Sequence, residues 1–523
     1  MKQDKNHIRH RPQLDDGFLF IVYYVSMIES PISTGYTATA VNVECTMSNG
    51  LPSFTIVGLA SRAVDESKER IRAAIVASGY SFPKKRIIVN LAPADLQKNS
   101  ASLDCAIALA ILHADKQIAV SKRIVAIGEL GLDGSIHAAK GCIGLLRMYQ
   151  PSDKQLLFFP LDNQEQVQAL QLTNAYGAAR LRDIVSFLHD SSTLIALEPT
   201  AGNKTLTNCI VDTIDFAEII GQQQAKRALT IAAAGGHNIL LSGPPGTGKS
   251  MLAKAFVAIL PPLTLEQSLD TTHIHSLAGT EIKNLISAPP LRSPHHTAST
   301  VAVTGGGTTM KPGEVSLAHN GVLFLDELAE FPRAIIESLR QPMEDRFITI
   351  SRAQSTTSYP SNFILMATTN PCPCGYYNTN KPCTCSAYEI VRYQKKLSGP
   401  ILDRIDIHLA VANVDHHNLL QKTKSAESPI VAQDVLAARQ RQIKRNQALN
   451  ATLSNKQLKS SLQISDETKK FFNNAAEKMN ISARSYMKIL KLAQTIADLE
   501  NSTQVTINHI SEALQYRPKQ AQL

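Results

Sequence analysis

From Thr37 to Gly58 apolar and polar positions alternate: Val41, Val43, Cys45 and Met47 share one face, Asn49-Gly50 breaks the run, and Phe54 and Ile56 resume it. Asn-Gly between alternating runs predicts a hairpin, with the second run returning beside the first. The period then lengthens. Behind Ser61, the residues Val64, Ile71 and Ile75 fall on one helical stripe that ends at Gly79, which predicts a capped helix. Ile87–Leu91 reads as a further strand and Asp104–Leu112 as a further helix, so residues 27–190 are expected to form a mixed α/β domain. A polar, irregular stretch over 191–210 reads as a linker. Beyond it, helical spacing over Gln223–Ala233 and Met251–Leu260 alternates with three short apolar runs: His237–Ser242, Gly321–Leu325 and Asn362–Thr369. Uninterrupted apolar runs of this length between helices predict strands buried on both faces of a parallel sheet. Residues 211–412 are therefore expected to be an α/β core. From 413 to 523 the pattern turns helical with polar breaks. A basic stretch runs from Ala437 to Arg445, and Ile489, Leu492, Ala493 and Ile496 make an apolar stripe that suits the core of a helical domain. There is no internal repeat and no heptad run.

All three apolar runs end in chemistry. The first leads into Gly243-Pro244-Pro245-Gly246-Thr247-Gly248-Lys249-Ser250, which fits G-x-x-x-x-G-K-[ST], and a helix follows directly. Strand, glycine loop and helix is the context this pattern needs. Glycines allow successive N–H groups to converge on a phosphate at the partly positive helix N-terminus. Lys249 would reach the β/γ-phosphates of ATP and Ser250 would hold Mg²⁺. Ile220-Gly221, at the opening of the same unit, completes the candidate ATP-binding set. The second run delivers Asp326-Glu327 at the carboxyl edge of its strand, where open α/β sheets bind ligands. Asp326 would complete the Mg²⁺ shell, and Glu327 would orient and deprotonate the attacking water. The run ending on Asn370 places an amide suited to polarise that same water.

Composition narrows the partners only slightly. The 523 residues carry a net charge of +9, with 44% hydrophobic and 19% charged residues, ordinary values for a globular protein. The basic excess permits an anionic partner, nucleic acid first, but suits a merely basic cytosolic protein equally. No apolar run approaches the roughly 20 residues of a membrane span. Phe18–Val25 after a basic lead-in superficially resembles a signal peptide. It is very short, Asp15-Asp16 interrupts the lead-in, and no small-residue cleavage site follows. Residues 1–26 are therefore read as an extension ahead of a start at Met27, and the protein as cytoplasmic. Of eight cysteines, Cys45, Cys105, Cys142 and Cys209 are isolated and read as small buried hydrophobes. Cys372, Cys374, Cys383 and Cys385 form C-x-C…C-x-C across a Gly/Asn/Pro-rich loop. They are a candidate tetrahedral Zn²⁺ site, or else four reduced thiols in a loop.

In this order, the phosphate loop, the Asp326-Glu327 strand and the Asn370 strand resemble an AAA+ ATPase. The nearer resemblance is to the magnesium-chelatase-like group and, within it, to the YifB/ComM family. It is carried by Ser293-Pro-His-His-Thr-Ala-Ser299, Lys311 through Glu327, Asn370-Pro-Cys-Pro-Cys-Gly375 and Gly399-Pro-Ile-Leu-Asp-Arg404. Ser48–Gly58 and Asn90–Asp95 extend it over nearly the whole chain. The family implies a homo-hexameric ATP-driven DNA helicase that promotes branch migration as transforming DNA is integrated. An alternative is a chelatase-like motor or chaperone that remodels a protein partner. The resemblance implies that Arg404 is a finger reaching the nucleotide of the neighbouring subunit, and that Arg484 is the sensor coupling a helical lid to nucleotide. It also implies that 27–190 is a Lon-protease-like domain with Ser102 at the nucleophile position. Leu145 falls where the dyad lysine belongs and Lys140 lies out of place, so proteolysis is not expected; relatives usually carry no serine there, and Ser102 departs from their pattern. In relatives an insertion corresponding to about Thr271–Val315 projects into the ring pore, and the stretch around Phe347–Arg352 resembles the pre-sensor hairpin of DNA motors. His295, His296, Lys311 and Arg352 are candidate contacts to DNA phosphates.

Overall fold

The computed structural model describes residues 27–518 apart from 59–61, 95, 97, 99–100, 198–213, 281, 283, 308–309, 353–354, 380, 398 and 413–425. The expected extension 1–26, the Ser61 cap and most of the expected linker lie outside the described residues.

The first half is built on a seven-stranded mixed sheet in the order Ser53–Val57, Arg86–Ala92, Thr37–Ser48, Ile28–Thr34, Arg123–Ala126, Gln155–Pro160, Ala175–Ala178. This order corrects the expected hairpin. Ser53–Val57 does not return beside Thr37–Ser48, because Arg86–Ala92 lies between them, antiparallel to Thr37–Ser48 and parallel to Ser53–Val57. The helix Arg62–Ala77 makes the crossover that a parallel pair requires. The hairpin is instead Ile28–Thr34 with Thr37–Ser48, turning at Gly35-Tyr36, where Gly35 has φ +85°. The facial reading survives: Val41 and Val43 are buried, with Cys45 and Met47 packed against the same core. The helix Asp104–Ala114 passes through the centre of that core and is buried from Asp104 to Leu112.

The second half is built on five strands, all parallel, in the order Leu291–Arg292, Val322–Leu325, Ile364–Thr369, Ile239–Ser242, Ile407–Ala410. The order matters for the site. The strand ending at Asn370 lies between the strand of the phosphate loop and the strand of the two carboxylates. Helices Ser428–Asn446, Asp466–Lys478, Ala483–Leu499 and Ile507–Gln515 follow. Ile489, Leu492, Ala493 and Ile496 are buried in one core shared with the helix Gln223–Gly235. The arginines of the basic stretch turn inward: Arg439 donates to the Ala233 carbonyl (2.9 Å), and Arg445 grips Asp498 with two bonds of 2.7 Å.

The two halves meet on the helix Leu265–Ala278. Tyr36 donates to Asp270 (2.8 Å), Arg147 pairs with the same carboxylate, and Gly141 N–H donates to Ser276 (2.7 Å). The beginning of the expected pore insertion, Thr271 to Ala278, is thus the inner part of this helix. Thr271, Thr272, His273 and His275 are buried: His273 meets the Tyr36 carbonyl of the first half (2.8 Å), while Thr271 and His275 bond the carbonyls of His319 and Leu317. None of the helices among the described residues is long and apolar enough to cross a membrane.

Candidate nucleotide site

The phosphate loop follows its strand directly, and the next helix begins at Lys249 itself, Lys249–Ala258, two residues earlier than the periodicity suggests. Gly246 and Gly248 take φ of +80° and +78°, a left-handed geometry that glycine adopts without a Cβ penalty. Gly243 is required for a different reason: a Cβ there would lie 2.4 Å from the Val411 carbonyl oxygen. Thr247 closes the loop by donating to the Pro244 carbonyl (3.0 Å). Pro245 and Gly246 are exposed, as is Ser250, while Lys249 is buried. Ile220 is half-buried, and Gly221 and Gln222 form a left-handed turn held by Gln222 donating to the Ala412 carbonyl (2.6 Å).

One hydrogen-bonded chain crosses the sheet edge. The Lys249 ammonium donates to the carbonyls of Gly243 (2.6 Å) and Pro244 (3.1 Å) and to Asn370 Oδ1 (3.0 Å). Asn370 Nδ2 donates to Glu327 Oε1 (3.3 Å). Beside it, Ser250 donates to Asp326 Oδ2 (3.1 Å). The structure therefore brings together Lys249, Ser250, Asp326, Glu327 and Asn370. Burial lowers the Lys249 pKa, against the opposing pull of Asp326 and Glu327. A phosphate entering the loop would compete with the two loop carbonyls for this ammonium.

A residue that the sequence reading missed holds the Asp326 carboxylate and the Glu327 backbone in place. Thr368 donates its hydroxyl proton to Asp326 Oδ1 (2.6 Å) and accepts the Glu327 N–H (2.8 Å). Glu327 sits at φ +54°, a strained conformation for a residue with a side chain, and Thr368 fixes that peptide. The only sequence signal was its place two residues before Asn370 on a strand. Thr368→Val keeps the shape and removes the hydroxyl, leaving a buried N–H without its acceptor. Steady-state ATP hydrolysis should fall roughly tenfold to a hundredfold, the scale set by misplacing a catalytic group, with KM for ATP changing little. A rate within twofold of the parent would remove Thr368 from this role.

Arg404 and Arg484 are not part of this chain of contacts. Arg404 pairs with Glu344 (2.8 Å) and donates to the Pro400 carbonyl (2.7 Å), and Arg484 pairs with the other oxygen of the same Glu344. Burial opposes ionisation of Glu344, yet the two guanidiniums outweigh it and hold its carboxyl below the usual range.

The four clustered thiols converge. Their sulfurs lie within 4.8 Å of one another, with separations of 3.4 Å for Cys372–Cys374, 3.7 Å for Cys372–Cys383 and 3.5 Å for Cys374–Cys383. A tetrahedral zinc with bonds of ~2.3 Å spaces its sulfurs by about 3.8 Å, so the residues fit the ion. Cys372 and Cys385 each accept a backbone N–H, from Tyr377 (3.3 Å) and Cys374 (3.4 Å). The N–H groups of Tyr376 and Thr384 bring the Cys374 thiol down to about 5. The loop also touches the nucleotide site: a Cβ on Gly375 would lie 2.5 Å from Pro245.

Gly305–Gly306 pairs with Lys311–Pro312, and a Cβ on Gly305 would strike Ile350 at 2.8 Å. Exposed Lys311 is thus next to the hairpin Phe347–Arg352/Ser355–Pro360. The Arg352 side chain lies outside the described residues. The rings of His295 and His296 lie 4.1 Å apart, tilted by 34°, with His296 edge-on to Phe331. In the first half, Leu145 is buried and Lys140 exposed, while Lys98, four residues before Ser102, is fully buried and donates to the Pro93 carbonyl.

Carboxylates and a phosphate loop on two strands of one parallel sheet, with the Asn370 strand between them, place the chain among the P-loop proteins of AAA+ type, magnesium-chelatase class. Three family models bear this out: magnesium chelatase, subunit ChlI, over residues 215–419; subunit ChlI of Mg-chelatase over 43–163; and the subunit ChlI C-terminal part over 425–517. The chain is 40% identical over 497 residues to the competence protein ComM of Haemophilus influenzae, covering 94% of this chain and 97% of that one. It is 39% identical to YifB of Escherichia coli, again over 94% of this chain and 97% of the relative. To the magnesium-chelatase 67 kDa subunit of Chlorobaculum tepidum it is 27% identical, over 30% of this chain and 23% of the other. The chain belongs to the YifB/ComM family.

Proposed function

We propose that the chain is an ATP-hydrolysing DNA motor that works as a cytoplasmic homo-hexamer, a helicase driving branch migration while transforming DNA is integrated. The observation that carries the hydrolytic part is the continuous contact Lys249–Asn370–Glu327 at the edge of one parallel sheet. Near-full-length similarity to a competence protein supports the DNA part. Ser250 and Asp326 would hold Mg²⁺, which neutralises phosphate charge. Glu327 takes the proton of the attacking water, and Asn370 orients that water and Lys249 together. Arg404 reaches the nucleotide of the adjacent subunit, and Arg484, on the same carboxylate, moves with it. In this reading 27–190 is a Lon-protease-like domain without proteolytic activity, since buried Leu145 stands in the place of a base. Residues 191–210 are a linker, 211–412 the ATPase core and 413–523 a helical lid.

The matches to models named for a chelatase subunit favour a second reading, a motor that remodels a protein partner. ATPase rate measured against added single-stranded and forked DNA separates the two. Marked stimulation, abolished by Lys249→Ala, is expected; a rate indifferent to DNA, with no DNA binding even at low salt, would leave only the second reading.

The four cysteines hold a structural Zn²⁺ that ties the Asn370 loop against the phosphate loop. One zinc per chain is expected by elemental analysis. Its removal with a chelator under reducing conditions should lower the unfolding midpoint by several degrees and weaken ATP binding. Protein purified with no zinc, and equally stable with added chelator, would rule the site out.

A further inference from the structure

A second cleft, of about 640 Å³, opens beside the nucleotide site, between the segment after the carboxylate strand and the helix Ala387–Gln394 with the residues just beyond it. Its volume is in the range of small-ligand sites. Four cations line it, Arg333, Arg392, Lys395 and Lys396, against one carboxylate, Glu330. Glu330 is engaged by Lys396 at 3.2 Å. Arg392 and Lys395 have no ion pair among the described residues, and Arg333, 85% exposed, reaches Glu337 only at 3.8 Å. Other nearby acids are committed elsewhere: Glu337 to Arg340 (2.6 Å), and Glu389 to the cap of its own helix through Ser386 (2.8 Å). The cleft therefore keeps an uncompensated positive charge, which a concave surface focuses on an anion. Tyr388 stands on the same helical face at i, i+4 from Arg392 and is 73% exposed. A large aromatic left that exposed next to unpaired cations matches the combination used for single strands, a basic groove with a ring on which a base can stack.

We propose that this cleft binds single-stranded DNA, with Arg333, Arg392 and Lys395 on backbone phosphates and Tyr388 stacked on one base. The proposal rests on the DNA-motor reading and adds a contact site to it. His295, His296 and Lys311, expected from sequence to contact DNA, do not line the cleft, although His296 packs on Phe331, which lies in its wall. The position supplies the coupling. The floor, Ala329–Phe331, continues directly from Asp326-Glu327, and the wall helix follows the cysteine loop that follows Asn370. A strand bound here presses on the two segments that carry the water-activating groups.

The test uses the full-length protein and a fluorescent oligo-dT strand, with anisotropy titrations at several salt concentrations. The variants are Arg392→Glu/Lys395→Glu, the milder Arg392→Gln/Lys395→Gln and Tyr388→Ala, each checked for an unchanged unfolding midpoint. Both paired variants should weaken binding, the Glu pair at least tenfold, and should flatten the log–log salt dependence by about 1.4, since each single-strand phosphate contact contributes ~0.7. Tyr388→Ala should weaken binding at least fivefold while leaving the salt slope unchanged. ATPase without DNA should stay at the parent rate in all three, and its stimulation by DNA should shrink. If the parent binds DNA and the variants bind it with the same affinity and slope, the cleft proposal is overturned while the motor reading stands. If instead the variants lose affinity for ATP without DNA, the cleft serves nucleotide, which also overturns it. A parent that binds no DNA at low salt overturns both.

Discussion

Glu327→Gln is expected to lower steady-state ATP hydrolysis by roughly 10²–10⁴-fold, the usual contribution of a positioned general base. The substitution is nearly isosteric. It keeps an oxygen for the Asn370 Nδ2 contact now made at 3.3 Å and removes only the capacity to take a proton. Ser250, Asp326 and Lys249 are untouched, so ATP should bind with an affinity within a few-fold of the parent. Phosphate release measured alongside binding of a fluorescent ATP analogue checks both halves. A rate within threefold of the parent would show that Glu327 is not the base. Loss of rate together with loss of binding would show that it serves the architecture of the site, a real alternative given the strained backbone at φ +54°.

Arg404→Ala should cost more, roughly 10³–10⁵-fold in rate, if the side chain neutralises transition-state charge as a finger. The site is informative because Arg404 makes no contact with the phosphate loop of its own chain; it is held on Glu344 at 2.8 Å. A finger working between subunits predicts complementation. Subunits carrying Arg404→Ala keep an intact phosphate loop, and subunits carrying Lys249→Ala keep an intact finger. Mixing the two inactive proteins should restore a measurable fraction of activity, at interfaces that pair one intact partner of each kind. Mixtures as inactive as their components, with rings still forming, would place the role of Arg404 within its own chain.

The parts of the site legible in the sequence are those whose chemistry is contiguous. Gly243 to Ser250 is one loop, Asp326-Glu327 is one strand end, and Asn370 ends an apolar run. Each carries its local geometry with it, because glycines, a buried strand and a following helix are short-range effects. The cysteine pairs were legible for the same reason. The Asn49-Gly50 hairpin was the instructive failure. The local signal was correct for a turn, but Arg86–Ala92, from beyond an entire helix, took the neighbouring place in the sheet. Pairing with a distant strand offers as many backbone hydrogen bonds as pairing with the near one, so local pattern cannot choose between them.

Sequence alone thus picked out the candidate chemistry: a glycine-rich phosphate loop, a pair of carboxylates and an amide, in that order along an α/β core. Tertiary structure decided how they act together. The strand order put Asn370 between Lys249 and Glu327, and Thr368, an unremarked strand residue, came to hold both the Asp326 carboxylate and the Glu327 backbone N–H. Glu344 gathered Arg404 and Arg484 onto one carboxylate from segments eighty residues apart in the chain. The cleft formed where Ala329–Arg333 meets Tyr388–Lys396. Each of these depends on which distant segments lie side by side, and that is set by burial of the sheet's two faces and by backbone pairing across the whole chain, neither of which a local motif records.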